Sequence, residues 1–480
     1  MLMLEKETVI ANLTPGMHIH IVGIGGAGMS AIARVLLGRG FRVSGSDMQT
    51  NEQTATLAAD GVTIFSGHAA AHIGNAALVV VSSAVPPTNP EWTAALERGV
   101  PVLKRADLLG ALMQDTIGIA VAGSHGKTTT SGMIAHILLE AGLDPTVILG
   151  GTLPELGGNG RHGNGPYFVI EADEYDHMFL GLRPEVAIIT NVEHDHPDLF
   201  PTADAYRAAF RRFAELLPTN GRLIICADDP GAVTLPAELS GRDIEVTTYG
   251  LGRTTGDIQP MVRALDVRSN QLGGSDFVVE MNGQTIGLAR IGVPGLHNVR
   301  NALAALIVAL DLQIEFAQAC RALAGFGGVQ RRFQIVGEAG GVTVVDDYAH
   351  HPTEIQATLA AARRRYPGRR LWAVWQPHTF SRTRLLLSEF AGSFTQADRV
   401  VALDIYRSRE AIDPTLTTAA VVERMEHPNA VYIADRRDAA DYLLERIRPD
   451  DVILTLGAGD GDAVGRWVLE GLQHQRGIER

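Results

Sequence analysis

Two glycine-rich segments carry the residues best suited to chemistry. The first is Gly23-Ile-Gly25-Gly26-Ala27-Gly28, which fits G-x-G-x-x-G between an apolar run and a run with helical spacing. Glycines there permit a tight turn and bring backbone N–H groups up to a pyrophosphate at a helix N-terminus. Asp47 follows at the end of the next apolar run, where such folds place a ribose-binding acid. Taken alone, the segment suits a nicotinamide dinucleotide, a nucleotide sugar, or a turn with no ligand. The second segment is Gly123-Ser124-His125-Gly126-Lys127-Thr128-Thr129. Its backbone can cradle phosphates, Lys127 can bridge β and γ, and Thr128 or Thr129 can reach Mg²⁺. Val121 stands where the long form of this motif has Gly, so the compact Gly-x-x-Gly-Lys-Thr form applies. Two nucleotide loops exclude a simple dehydrogenase, because hydride transfer has no use for a triphosphate site.

Acids follow the next two predicted strands, as Glu171-Ala-Asp173-Glu174 and Glu193-His194-Asp195-His196. Mg²⁺ takes oxygen ligands at such strand ends, sometimes with one His. The His–carboxylate mixture also admits Zn²⁺, but the phosphate loop makes Mg²⁺ the economical answer. Asp173 and Asp176 also suit helix caps. His297-Asn298 with Asn301 can cap a helix or form an aromatic shelf for adenine. Arg331-Arg332 and Asp346-Asp347-Tyr348-Ala-His350-His351-Pro352 form a dense polar cluster, as does His378-Thr-Phe-Ser-Arg382-Thr-Arg384. Arginines in the last segment suit a carboxylate or a phosphate. N-capping and surface charge are the plain alternatives for both.

Strands alternating with helices must position these groups. Strands are predicted at 17–23, 41–47, 78–82 and 100–103, then at 117–122, 167–170, 186–190 and 223–226. Runs at 243–249, 277–281 and 285–291 alternate apolar and polar residues, and Asn282-Gly283 between two of them is a hairpin signal. They read as an antiparallel patch on the second unit. A third unit has strands at 342–345, 371–375, 400–403 and 452–456. The fold class is α/β in three domains: Rossmann-like at residues 1–113, a phosphate-loop parallel sheet with an antiparallel patch at 114–328, and Rossmann-like again at 329–480.

A length of 480 residues fits about three domains. Net charge −13 argues against a nucleic-acid or anionic-membrane partner. Cys226 and Cys320 form no framework, which fits a reducing compartment. No apolar run reaches a membrane span, and Glu5, Lys6 and Glu7 do not resemble a signal peptide. A cytoplasmic protein, monomer or homodimer, is expected.

In this order the motifs closely resemble the Mur ligases of bacterial cell-wall synthesis. The compact phosphate loop, Glu171-Ala-Asp-Glu174, Thr190-Asn191…Asp195-His196 and His297-Asn-x-x-Asn301 carry the resemblance. Val22–Ser30, Val43–Asp47, Ser82-Ser-Ala84, Asn89-Pro-Glu91 and Asp346–Glu354 point to the member that adds the first amino acid. The match runs from about residue 17 to 461. The resemblance implies ATP-dependent joining of L-alanine to the lactyl carboxylate of UDP-N-acetylmuramate through an acyl phosphate. A sister activity that recycles a murein tripeptide onto the same sugar is the alternative. It implies UDP contacts from Gly25, Gly26, Ala27, Gly28, Met29, Ser30, Asp47 and Ser82, and ATP contacts from Gly123–Thr129, His297, Asn298 and Asn301. Thr128, Glu171 and His196 would hold Mg²⁺, two ions in all. Lys127, Arg332 and Asp347 would act on the nucleotide, and His351, His378 and Arg382 would address the amino-acid carboxylate. Two segments depart from the family pattern, at Pro197 and at Phe380. The carbamylated lysine of several members has no evident counterpart, since Phe210-Arg211-Arg212-Phe213 occupies the helix in question.

Overall fold

The computed structural model describes Val9 and residues 12–252 and 259–478; Glu5, Lys6 and Glu7 lie outside the described residues. Three sheets follow one another along the chain. The first has five parallel strands in the order Thr63–Ser66, Arg42–Asp47, His18–Val22, Leu78–Val81, Val102–Lys104. The order reverses beside His18–Val22, so Gly23–Gly28 leaves the sheet at the point where doubly wound folds open a crevice. Thr63–Ser66 escaped the sequence reading because it is a short, half-exposed edge strand without a continuous apolar run.

The central sheet has ten strands. Six neighbours run parallel, from Ile244–Gly250 through Gly221–Cys226, Val186–Ile189, Ile117–Ala122 and Tyr167–Glu171 to Thr146–Leu153. One edge is extended by Val262–Ser269, Ser275–Met281 and Gln284–Ile291, of which the last two form antiparallel pairs. The strand expected at 243–249 belongs to the parallel part, which corrects its placement in the patch. Asn282 and Gly283 both have positive φ, 51° and 79°, as a two-residue hairpin turn requires. The third sheet has five parallel strands and one antiparallel edge strand, Gln334–Ala339.

Apolar periodicity sets how these sheets are covered. The helices Lys127–Glu140 and Leu296–Asp311 are almost wholly buried and pack against each other over the central sheet. One apolar cluster runs from Ile19 and Leu36 through Phe179 to Phe213 and joins the first two sheets. The helix Ala27–Gly38 lies against the strand Gly158–Arg161 so closely that a Cβ on Gly160 would sit 2.6 Å from the Ala31 carbonyl oxygen. The Asn159 amide donates to Ala27 O at 2.6 Å. The loop of the first domain is therefore docked on the second.

Candidate active site

The strand Ile117–Ala122 delivers Gly123 to the end of the central sheet. Gly123 has φ +139°, and a Cβ there would collide with the Thr190 hydroxyl. Thr190 donates that hydroxyl to His125 O at 2.6 Å, and Asn191 pairs with the His125 backbone through both ends of its amide. The strand end at 190–191 thus staples the loop. The helix beginning at Lys127 has no side-chain cap and no acid in its first turn. Its N–H groups are left for an anion.

Lys127 donates to Gly123 O at 2.6 Å and lies 2.9 Å from Glu174 Oε2. Burial works against its charge, yet Glu174, Asp173 and Glu171 hold its pKa above the usual value. The two glutamates differ. Glu174 is buried; desolvation is outweighed by Lys127 and by His196, whose Nε2 is 3.5 Å away, and its pKa falls to about 2. Tyr206 places its hydroxyl 3.1 Å from the same carboxylate. Glu171 accepts from Gly150 N at 2.7 Å, but burial keeps its pKa raised despite Lys127 and Thr128. A half-buried carboxylate short of positive charge, beside a threonine hydroxyl, is a donor set that fits a hard divalent cation. Thr128 and Glu171 therefore suit Mg²⁺. His196, with φ +53°, sits between Asp195 and Glu174, which raise its pKa against burial. It would bind a cation only after shedding a proton.

A cavity of about 290 Å³ opens beside the loop, between the central and C-terminal domains. His297, Asn298 and Asn301 line one wall; Arg332, Asp347 and Glu354 line the other. Burial, then Arg300, lowers the His297 pKa to about 4, so its ring is neutral. Asn298 donates to Pro294 O at 2.6 Å and accepts from the Asn301 amide at 3.1 Å. Asp347 accepts from Phe333 N and Ala349 N, both at 2.8 Å, and burial pushes its pKa to about 6. Arg332 lies 3.4 Å from Glu354 and 5.1 Å from the centre of the Tyr348 ring.

Two ties cross this cleft. His125 Nε2 lies 3.0 Å from Glu193 and its Nδ1 lies 3.4 Å from Glu354 of the C-terminal domain. Burial is overcome by the two carboxylates and the His125 pKa rises to about 10. Thr353 adds a 2.6 Å bond to Glu193. The second tie is bidentate: Arg382 Nε and a terminal nitrogen reach the two oxygens of Asp195 at 2.8 and 3.2 Å, with both side chains buried. His125, Glu193 and His351 also bring possible ligand atoms within 4.8 Å of one another. As the side chains stand, His125 is engaged in ion pairs with Glu193 and Glu354.

In the first domain, Gly25 N donates to Asp47 Oδ2 at 2.9 Å and Asn51 donates to Gly25 O at 3.0 Å. A Cβ on Gly23 would lie 3.0 Å from the Ser82 Cβ, so Ser82 flanks the loop. Met29 is in the core, and the Ser30 hydroxyl is spent on Ala27 O at 2.9 Å. Only Gly25–Gly28, Asp47 and Ser82 of that set stand around the loop.

Residues 18–116 match the family described as Mur ligase family, catalytic domain; 121–309 match the Mur ligase middle domain; 331–459 match the Mur ligase glutamate ligase domain. A Salinibacter ruber protein named UDP-N-acetylmuramate–L-alanine ligase is 45% identical over 96% of this chain and 97% of its own. The chain belongs to the Mur ligase family. A Kineococcus radiotolerans protein of the same name is 46% identical over 94% and 95% of the two chains. The crystal structure of UDP-N-acetylmuramate–alanine ligase from Thermotoga maritima is 30% identical, with TM-score 0.81 over 96% and 100%. A murein peptide ligase from Psychrobacter arcticus is 29% identical, with TM-score 0.71 over 95% and 99%.

In this Mur ligase the fold brings together Lys127, Thr128, Glu171 and His196, with Arg332 and Asp347 across the cleft. Glu174 and Asp195, read from sequence as members of the two acid segments without a role of their own, share that site with Tyr206, which was not singled out. The two acids had a signal in their acid-rich segments after predicted strands; Tyr206 had none. His351 caps the helix Pro352–Arg365 and lies ring to ring with His125 at 4.7 Å. His378 stands 3.0 Å from Arg382 and stacks on Tyr406. Lys127 is also the last lysine of the chain. No carbamylated lysine can therefore come from residues 128–480, and Tyr206, on the helix Ala203–Ala214, reaches Ser124 and Glu174 with its hydroxyl.

Proposed function

We propose that this Mur ligase joins L-alanine to the lactyl carboxylate of UDP-N-acetylmuramate, using ATP, in peptidoglycan precursor synthesis. The observation that carries this is near-full-length identity of 41–46% to proteins named for that reaction. The geometry supports the roles. Lys127, now folded onto loop carbonyls and Glu174, turns to the β and γ phosphates. Glu174 keeps it charged. Asn298, Asn301 and the neutral His297 ring receive the nucleoside, and Arg332 meets the phosphates from the opposite wall. The substrate carboxylate attacks the γ-phosphorus and ADP leaves; the alanine amine then attacks the acyl carbon, and phosphate leaves as the amine loses a proton. Mg²⁺ bound at Thr128 and Glu171, with a second ion at His196, would neutralise charge on the transferred phosphoryl group. The two ties across the cleft keep water from the acyl phosphate. We place the domain divides near 113/114 and 328/329, which gives each unit one of these tasks.

Among the described residues no helix is long and apolar enough to cross a membrane. We place the reaction in the cytoplasm, where ATP and nucleotide sugars are available. The test is phosphate release from ATP and Mg²⁺, with UDP-N-acetylmuramate and L-alanine supplied singly and together. Release that needs both, with an alanyl mass gain on the sugar nucleotide, is expected. Preference for a murein tripeptide over alanine would replace this reading with the recycling activity.

A further inference from the structure

Three segments of two domains bring imidazole and carboxylate donors together, apart from Thr128, Glu171 and His196. His125 lies inside the phosphate loop, Glu193 follows the strand Val186–Ile189, and His351 caps the helix Pro352–Arg365 of the C-terminal domain. One ligand atom of each lies within 4.8 Å of the other two. Glu193 Oε2 is 3.0 Å from His125 Nε2, and Glu193 Oε1 is 3.9 Å from His351 Nδ1. The two imidazole rings stand 4.7 Å apart, centre to centre. Outer contacts orient these donors. His125 turns its other nitrogen, Nδ1, to Glu354 at 3.4 Å, and Thr353 donates its hydroxyl to Glu193 Oε1 at 2.6 Å. A carboxylate behind a ligating imidazole fixes its tautomer and raises its basicity. His351 is 2% exposed, and its Nε2 is buried with no hydrogen-bond partner. Burial lowers its pKa to about 4, so the ring is neutral and keeps a lone pair. A buried ring nitrogen left unpaired costs free energy that a bond to a metal recovers.

We propose that His125, Glu193 and His351 form a Zn²⁺ site that pins the C-terminal domain to the phosphate loop and halts turnover. Two imidazoles and one carboxylate suit Zn²⁺ and leave a fourth position for water, whereas Mg²⁺ takes oxygen donors. On binding, Zn²⁺ bonds to His125 Nε2. The proton on that nitrogen passes to solvent, and the Nδ1 proton stays with Glu354. The metal then links both walls of the cavity that His125, Glu193 and Glu354 line, through which nucleotide must pass. The site does not depend on which substrates the enzyme joins.

Titration of the full chain with Co²⁺, in excess Mg²⁺ and without nucleotide, tests this. The readout is the visible absorption of four-coordinate Co²⁺, with Zn²⁺ as competitor. One Co²⁺ per chain, displaced by Zn²⁺, is expected. His351→Ala and Glu193→Gln should each weaken binding by at least about tenfold, and Glu354→Gln, which keeps all three ligands, by less. His196→Ala should leave Co²⁺ binding unchanged. Unfolding temperatures measured with a chelator present separate loss of a ligand from loss of the fold, and the two ligand variants check each other. In turnover assays at saturating Mg²⁺, Zn²⁺ should inhibit the unaltered protein and a chelator should restore it. Glu193→Gln should lose that sensitivity relative to its own rate without Zn²⁺. No Co²⁺ absorption in excess Mg²⁺, an equal loss in His196→Ala, or metal binding that leaves turnover untouched would overturn the proposal.

Discussion

The two glycine loops begin alike and end differently. Gly23–Gly28 and Gly123–Gly126 each leave a buried parallel strand and enter a helix without a side-chain cap. Around the first loop, the described contacts are mostly local: Asp47 and Asn51 hold Gly25, with Arg105 the one cation packed on Gly28. Around the second, Lys127, Glu171, Glu174, His125, Glu193, His196 and Tyr206 form a charged shell, continued by Glu354 and Arg382 of the third domain. Holding a diphosphate needs donors and little else. Moving a phosphoryl group needs charge placed in advance and kept from water. The shell is the structural form of that difference.

The sharpest way to break the comparison is Lys127→Ala. Turnover should fall by about a thousandfold or more, the scale of losing a principal charge stabiliser. Equilibrium titration should show UDP-N-acetylmuramate affinity within about twofold of the unaltered protein, since the first loop lies in another domain and Lys127 makes no hydrogen bond to it. Collapse of both would mean that the loops are not separate sites.

Two arginines whose ion pairs cross domain boundaries come next. Arg382→Met leaves Asp195 buried without its cation, which costs about 3–5 kcal/mol. A clear fall in unfolding temperature is expected, with partial recovery in Arg382→Met/Asp195→Leu. The Arg105–Asp173 pair is partly exposed, with side chains 16% and 36% accessible. Its loss should cost no more than about 1 kcal/mol. Equal falls would erase the contrast between the two loops.

The glycines give a matched pair of smaller effects. Gly123→Ala puts a side chain at φ +139° and against Thr190, so strain of about 1–3 kcal/mol and loss of ATP binding are expected. Gly28→Ala displaces only the far end of a flexible arginine. It should spare the unfolding temperature and weaken UDP binding alone. Calorimetry on both variants measures the two quantities side by side.

The smallest effect is a pH dependence. The His125 pKa is raised from 6.5 to about 10, so its tie to Glu193 and Glu354 is fully present below pH 6.5 and is lost as pH rises towards 10. The Glu193 pKa is lowered from 4.5 to about 2, so its share is full above pH 4.5 and is lost as pH falls towards 2. The tie is strongest between those two ordinary values. The difference in unfolding temperature between the unaltered protein and His125→Gln should shrink steadily above pH 6.5. A constant difference would mean that the tie is not ionic.

Both loops, the strand–helix alternation and the motif order were legible in sequence because each depends on neighbours in the chain. Glycine at a tight turn, a lysine after it and apolar runs of strand length are local facts. The strand Ile244–Gly250 was misplaced because its alternating pattern fits a half-covered strand of either direction; pairing with Gly221–Cys226 decided it. The division between Glu171 and Glu174 was also beyond sequence. The two acids look alike in Glu171-Ala-Asp-Glu174, and only the position of Lys127 neutralises one and leaves the other short of charge. Arg382 shows the same limit most plainly. Its type called for a carboxylate or a phosphate, and the fold supplied a carboxylate from 187 residues away, Asp195. Sequence determined which chemistry this chain could carry, because backbone geometry and residue type are local. Tertiary structure decided which charges meet, because a Coulomb contact acts through space and separation along the chain does not enter it.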